Sequence, residues 1–184
     1  EFPGKYILFK RYGIEIDRDW TGKECPYDAI QADLQEVYPL ARRIGLTFPL
    51  IVANPPFGLT WQEPSINDGK NTNSTVLCYQ YCLNLLDEYG QGVLICGRDR
   101  LDREILPIPE ASHIYAIVDV PDLFGKDVDL PCSIAFFAQT RREPISDPFR
   151  IERKACDLDE DLARRLYNER YQTCTMLNLY QQSE

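Results

Sequence analysis

The sequence predicts an α/β fold: a mostly parallel sheet with helices on both faces. Three observations carry that prediction. Short apolar runs alternate with helical stretches along most of the chain. Two runs, residues 50–53 and 134–137, are continuously apolar, as in strands buried on both sides. Glu15, Asp33 and Asn54 each close such a run, which places all three on one edge of a parallel sheet.

Tyr12-Gly13-Ile14-Glu15-Ile16 reads as a strand ending in acidic residues, and Ala29-Ile30-Gln31-Ala32-Asp33 as a second short strand. Pro39 suits the first turn of a helix through Leu40, Arg43 and Ile44, with Gly45 as its stop. Residues 50–53 form the third strand. Residues 58–73 are polar, rich in Asn, Gly and Thr, and read as a long loop, a length that marks function or disorder in compact domains. A helix is predicted over residues 74–89. Cys78, Cys82, Leu85, Leu86 and Tyr89 share one face, and Gly90 ends it. Further strands are predicted at residues 92–96, 115–120 and 132–138. Asp157-x-x-Glu160 has the form of a capping box. Leu158, Leu162 and Leu166 follow at every fourth position, with favourable i,i+4 pairs Glu160–Arg164 and Asp161–Arg165. A helix is therefore expected near residues 157–171.

Composition narrows the function classes. A chain of 184 residues can bury a core, and 44% hydrophobic with 27% charged residues is ordinary for a globular protein. No apolar run approaches the ~20 residues that span a bilayer, so no membrane partner is expected. The start, Glu1-Phe2-Pro3-Gly4, lacks the pattern of a secretory signal, and the sequon Asn73-Ser74-Thr75 is read as irrelevant. Seven scattered cysteines without a Cys-x-x-Cys pair point to reduced thiols and a cytoplasmic location. Cys78 and Cys82 lie one turn apart, but a zinc site wants four ligands and the chain has 1 His, so no metal is expected. The formal net charge of −9 repels nucleic acid at long range. Phosphate contacts would need a local basic face, for which Arg98, Arg100, Arg103, Arg141 and Arg142 are the candidates, or another domain. Solvated surface arginines are the simpler reading of all five.

Asn54-Pro55-Pro56-Phe57 is the segment that carries chemistry. It follows the apolar run 50–53, so it falls at a strand's C-terminal end, where open α/β sheets bind ligands. Two prolines remove backbone donors and fix φ. What remains is a stiff projection with one carboxamide, free carbonyls and one ring, the parts needed to hold an amino group and stack on a flat heterocycle. Glu15, with Asp17 as a weaker substitute, suits ribose hydroxyls, and Asp33 suits an exocyclic adenine amine. Other polar residues read as structural. His113 begins an apolar strand, Asp119 and Asp122 flank Pro121 in a solvated turn, and Asp127 and Asp129 sit in a loop as surface charge or the lip of a pocket.

These residues together resemble a known family, the adenine-N6 DNA methyltransferases, particularly the modification subunits of type I restriction systems. The resemblance covers about residues 11–140. Residues 12–17 resemble the acidic motif that binds the ribose of S-adenosylmethionine, and Ala32-Asp33 the motif that contacts the cofactor's adenine. Asn54-Pro55-Pro56-Phe57 matches the catalytic motif. Leu123-Phe124, followed by Cys132-Ser133-Ile134-Ala135-Phe136-Phe137, is similar to the late strand region. The resemblance implies a Rossmann-like methyltransferase sheet. It also implies S-adenosylmethionine as cofactor, held by Glu15, Asp33 and Asn54, and Asn54, Pro55, Pro56 and Phe57 as catalytic residues. The implied partner is DNA with a flipped adenine. Residues 1–140 would form the catalytic domain and 141–184 a C-terminal extension.

Two departures from the family qualify the expectation. The family's glycine-rich turn has no counterpart in residues 1–10, so the sheet is expected to lack its first central strand. No target-recognition domain follows residue 140, so DNA reading is expected from an additional domain or subunit. Guanine-N2 RNA and protein-glutamine methyltransferases carry similar Asn-Pro-Pro-aromatic segments. A non-catalytic assembly domain with the same fold is the third reading.

Overall fold

In a computed structural model of the chain, residues 12–15, 28–125, 130–139, 148–162 and 164–166 are described. Ile16, Asp17, Asp127, Asp129, Arg141, Arg142 and the end of the predicted C-terminal helix lie outside them. The chain divides into two units, Glu1–Leu46 and Thr47–Glu184.

The first unit holds two parallel strands, β1 (Tyr12–Glu15) and β2 (Asp28–Gln31), with Glu15 opposite Gln31. Helix α1 (Leu34–Arg43) begins five residues before the predicted proline start. Its cap is Asp33, whose carboxylate accepts the Gln35 N–H at 2.8 Å and supplies one of the partners that a helix start lacks. Pro39 therefore lies inside the helix, where it removes a single backbone bond. Asp33 closes no strand; it stands two residues beyond β2.

The second unit contains β3 (Phe48–Ala53), then β4 (Thr60–Trp61), α2 (Pro64–Asn67), β5 (Thr72–Asn73) and α3 (Ser74–Leu85). Strand β6 (Leu86–Gly97) leads into α4 (Arg98–Arg100) and a π-helical turn, Leu101–Ile105. Strands β7 (Ile114–Val120), β8 (Cys132–Ala138) and β9 (Phe149–Glu152) complete it. The main sheet has the order β3-β6-β8-β7-β9. β3 pairs parallel with β6 and β7 with β9, while β8 runs antiparallel to both β6 and β7. Four of the five strands therefore share a direction, and the sheet is mostly parallel.

Both faces of the central strands β7 and β8 are covered. On one, the Tyr79 ring of α3 meets Phe137 of β8 edge-on at 5.0 Å. On the other, Ala116, Val118, Val120 and Ala138 pack with Leu162 and Leu166 from a helical stretch near the C-terminus. Side chains alternate across a strand, so Phe137 and Ala138 face opposite ways. Burying each large apolar side chain contributes about 1.5–3 kcal/mol.

Four elements differ from the sequence reading. Strand β3, expected to be buried on both sides, is an edge strand whose Leu50 and Val52 are 58% and 65% exposed. The helix predicted over 74–89 ends at Leu85, because Leu86 turns extended (ψ 142°) and pairs with Phe48 of β3. The predicted loop 58–73 is a small antiparallel hairpin, β4 with β5, around α2. The helix near the C-terminus is capped by Asp159, whose carboxylate accepts the Leu162 N–H at 2.9 Å, and not by Asp157. No helix among the described residues is long and apolar enough to cross a membrane.

Candidate functional site

β3 delivers Asn54-Pro55-Pro56-Phe57 at its C-terminal end, as the apolar run implied. Asn54 is exposed, Pro55 buried and Pro56 exposed. The segment is thus pinned by a proline ring on one side and presents its carboxamide on the other. The Pro56 carbonyl accepts a hydrogen bond from the Ser74 hydroxyl at 2.7 Å. The half-buried Phe57 ring meets Phe124 nearly at right angles (81°), with centroids 5.8 Å apart. An edge-to-face pair of this kind contributes about 0.5–1.5 kcal/mol beyond its buried area.

Phe124 stands on the turn after β7. One bond ties that turn to the C-terminal segment, and a second ties the end of β7 to it. The Asp122 carboxylate accepts the Ala155 N–H at 2.8 Å, and the Asp119 carbonyl accepts the Arg153 N–H at 2.8 Å. Trp61, on β4, stacks on Tyr81 of α3 at 6.2 Å and 13°, which makes it an anchor for the hairpin. Helix α3 starts beside the segment, with the Asn73 carboxamide accepting the Thr75 N–H at 2.9 Å.

Farther along the same sheet edge lies a charged cluster that the sequence did not reveal. Asp119 was expected in a solvated turn; it is in β7 and 3% exposed. Ser133 donates to it at 2.5 Å, and Arg150 donates through Nε at 2.7 Å and Nη2 at 3.0 Å. Burial pushes the Asp119 carboxyl up. The hydrogen bonds from Arg150 and Ser133, with the charges of Arg150 and Arg98, outweigh burial and hold it below the usual carboxylate range. Arg150 also reaches Asp102 on the π-helical turn at 2.7 Å. Its hydrogen bonds to Asp119 and Asp102 push its guanidinium up, so it stays charged.

Of the five candidate arginines, the three among the described residues each face a carboxylate and keep much of their side chains in solvent. Arg98 pairs with Glu152 and Asp119, Arg100 with Glu104, and Arg103 with Asp99. No signal in the sequence joined these partners except the i,i+4 spacing of the last two pairs.

Glu15 and Asp33 lie in the first unit and the Asn54 segment in the second, in separate sheets, so the single shared sheet edge expected from the sequence is not what the described strands form. Because β1 and β2 are parallel, Glu15 at the end of β1 and Asp33 just past β2 share one edge of their own small sheet. One Asp33 carboxylate oxygen is committed to capping α1; the other is not required by the cap. His113 Nδ1 lies 3.2 Å from the Ala138 carbonyl, a structural contact. Cys78 and Cys82 are buried within α3, and the Cys78 hydrogen bond, with burial, pushes the Cys82 thiol well up.

No protein-family model matches the chain, and no curated protein matches it in sequence. Solved structures do match. One, from Listeria monocytogenes, is described as a putative class I S-adenosylmethionine-dependent methyltransferase, with a TM-score of 0.51 and 10% identity over 67% of this chain and 42% of that one. Another comes from a study of complex assembly and conformational transition in a type I restriction–modification system. Its TM-score is 0.51 and its identity 15%, over 84% of this chain and 34% of that one. The chain spans less than half the length of either. The likeness shows a Rossmann-like methyltransferase fold.

Proposed function

We propose that this chain is the catalytic portion of an S-adenosylmethionine-dependent methyltransferase that modifies the exocyclic N6 amine of adenine in DNA, within a larger restriction–modification-type enzyme. The observation that carries this reading is the exposed Asn54 carboxamide on a proline-stiffened segment at the C-terminal end of β3, with the Phe57 ring three residues on. The methyltransferase fold of the neighbours supports it.

In this reading the cofactor is assigned to residues of the first unit. Glu15 at a parallel strand end would hold the ribose hydroxyls, and the second oxygen of Asp33 would take the adenine amine. When bound, S-adenosylmethionine supplies an electrophilic methyl on a sulfonium.

The chain's own residues address the weakness of the other reactant. An adenine amine is a poor nucleophile because its lone pair is delocalised into the ring. The Asn54 side-chain oxygen and the Pro55 carbonyl each accept one N–H of that amine. This draws the nitrogen toward tetrahedral geometry and localises the lone pair as the transition state forms. No general base is needed before attack, since the resulting cationic nitrogen loses its proton readily. A paired base cannot reach this edge, so the adenine is flipped out. Phe57 stacks on it, a contact worth about 1–3 kcal/mol. Positioning of the amine by these two acceptors contributes to the rate.

The arginines of α4 and the π-helical turn already face carboxylates, so this reading looks to other residues for most phosphate contacts. Incubating the full-length protein with methyl-labelled cofactor and separate pools of DNA, RNA and protein tests the reading. Label in DNA is expected. Label confined to RNA or protein would replace this reading with the guanine-N2 or glutamine one.

A further inference from the structure

Composition removes nearly all freedom from residues 54–56. Asn54 and Pro55 each precede a proline, which confines both to extended ψ. The rings of Pro55 and Pro56 fix their φ. From the Asn54 Cα to the Phe57 nitrogen one backbone torsion is left unrestricted, ψ of Pro56, because the residue after it is Phe57. That torsion decides where the Pro56 carbonyl points. It also decides how the Phe57 ring is carried relative to Asn54 and Pro55.

The Pro56 carbonyl is the one gripped by the Ser74 hydroxyl at 2.7 Å. Ser74 is well placed to hold it. It is fully buried and is the first residue of α3. Its N–H, which a helix start leaves without an intrahelical partner, donates to the Leu59 carbonyl at 2.9 Å. The next turn is fixed by the Asn73 cap on Thr75. One residue therefore closes the stretch between Pro56 and α3 by main chain and side chain together.

We propose that Ser74 is a positioning residue for the candidate catalytic segment. Its hydroxyl locks the last soft torsion and so sets the Phe57 ring against the Asn54 and Pro55 acceptors. The substrate half of this inference rests on the methyltransferase reading above; the geometric half does not.

The test uses the full-length protein with Ser74→Ala, Ser74→Cys and Ser74→Thr. Two quantities are measured: the kcat and KM of methyl transfer to DNA, and the fluorine resonance of 4-fluorophenylalanine incorporated in place of Phe57. Ser74→Ala is expected to lower kcat on the order of 10²-fold, as small misplacements of a reacting pair do. KM for the cofactor stays the same, and the fluorine line shifts or broadens. Ser74→Thr, which keeps the hydroxyl, restores both. Should Ser74→Ala fail to fold, Ser74→Cys replaces it, since its thiol preserves bulk but is a weak donor. An unchanged fluorine line in a folded variant lacking the hydroxyl, or an unchanged kcat, overturns the proposal. If the wild type transfers no methyl to DNA, the functional reading fails, and the fluorine line alone decides whether Ser74 positions Phe57.

Discussion

Asn54 is the residue whose loss should cost most in rate and least in stability. Its side chain is exposed, so Asn54→Ala is expected to leave the urea unfolding midpoint unchanged. Methyl transfer should fall by about 10²–10³-fold or more, the usual effect of deleting one positioned polar group at a reacting centre. Asp119 behaves oppositely. Asp119→Ala strips a buried carboxylate from Arg150 and Ser133 and is expected to destabilise the fold by about 3 kcal/mol. Arg150 retains Asp102, which keeps the cost at the low end of that range. The pH dependence follows from the lowered folded pKa. The Asp119 contribution is complete above the unfolded value of about 3.9 and is lost as pH falls through the lower folded value. Acid titration of unfolding in wild type and Asp119→Asn should therefore converge at low pH and separate above it. Asn54 was legible because two prolines after an apolar run have few other uses. Asp119 was not legible. Its neighbour Pro121 read as a turn, and its partners Ser133 and Arg150 lie 14 and 31 positions away.

At the scale of elements, the sheet depends on close approaches that only glycine permits. Gly92 of β6 sits directly opposite Phe137 of β8, whose ring occupies the space a Cβ would need. Gly92→Ala must displace a fully buried ring that also packs on Tyr79, so a loss of about 1–3 kcal/mol is expected in denaturant unfolding. Two residues before it, Gly90 explains the misread helix. Periodicity carried the prediction of α3 through Leu86 and Tyr89 because nothing local stops a helix before Gly90. The true end is set by β3: Phe48 pairs with Leu86 and Leu50 with Gln91, so residues 87–90 bulge opposite Pro49, which has no N–H for the ladder. A Cβ on Gly90 would lie 2.9 Å from the Phe48 carbonyl oxygen. Pairing between distant strands overrode local pattern there. The same happened at α1, where the Asp33 cap lay hidden because Pro39 offered a plausible start. The turn carrying Phe124 is an element-scale prediction too. Asp122→Ala frees it from Ala155 and should raise amide exchange across residues 121–125 while leaving β7 protected.

For the molecule as a whole, the alternation of apolar runs gave away the α/β class. The late strands were placed to within a residue or so, because residues 115–120 and 132–138 are buried throughout or nearly so. The antiparallel course of β8 between β6 and β7 had no counterpart in the pattern, since strand direction leaves no trace in hydrophobic period. The charge balance has a consequence for partners. With a formal net charge of −9 and the Arg98, Arg100 and Arg103 guanidinium groups already paired, this chain alone should bind duplex DNA weakly. Its log K against log salt slope should be shallow, reflecting few phosphate contacts. On the proposed function, the full-length protein should show a steeper slope in the same titration.

The most direct measurement is the identity of the methylated nucleoside. DNA treated with the full-length protein and S-adenosylmethionine is digested and its nucleosides separated. N6-methyladenine formed by the wild type and missing with Asn54→Ala is the predicted result. Equal N6-methyladenine from both proteins would contradict the role given to the Asn54 carboxamide.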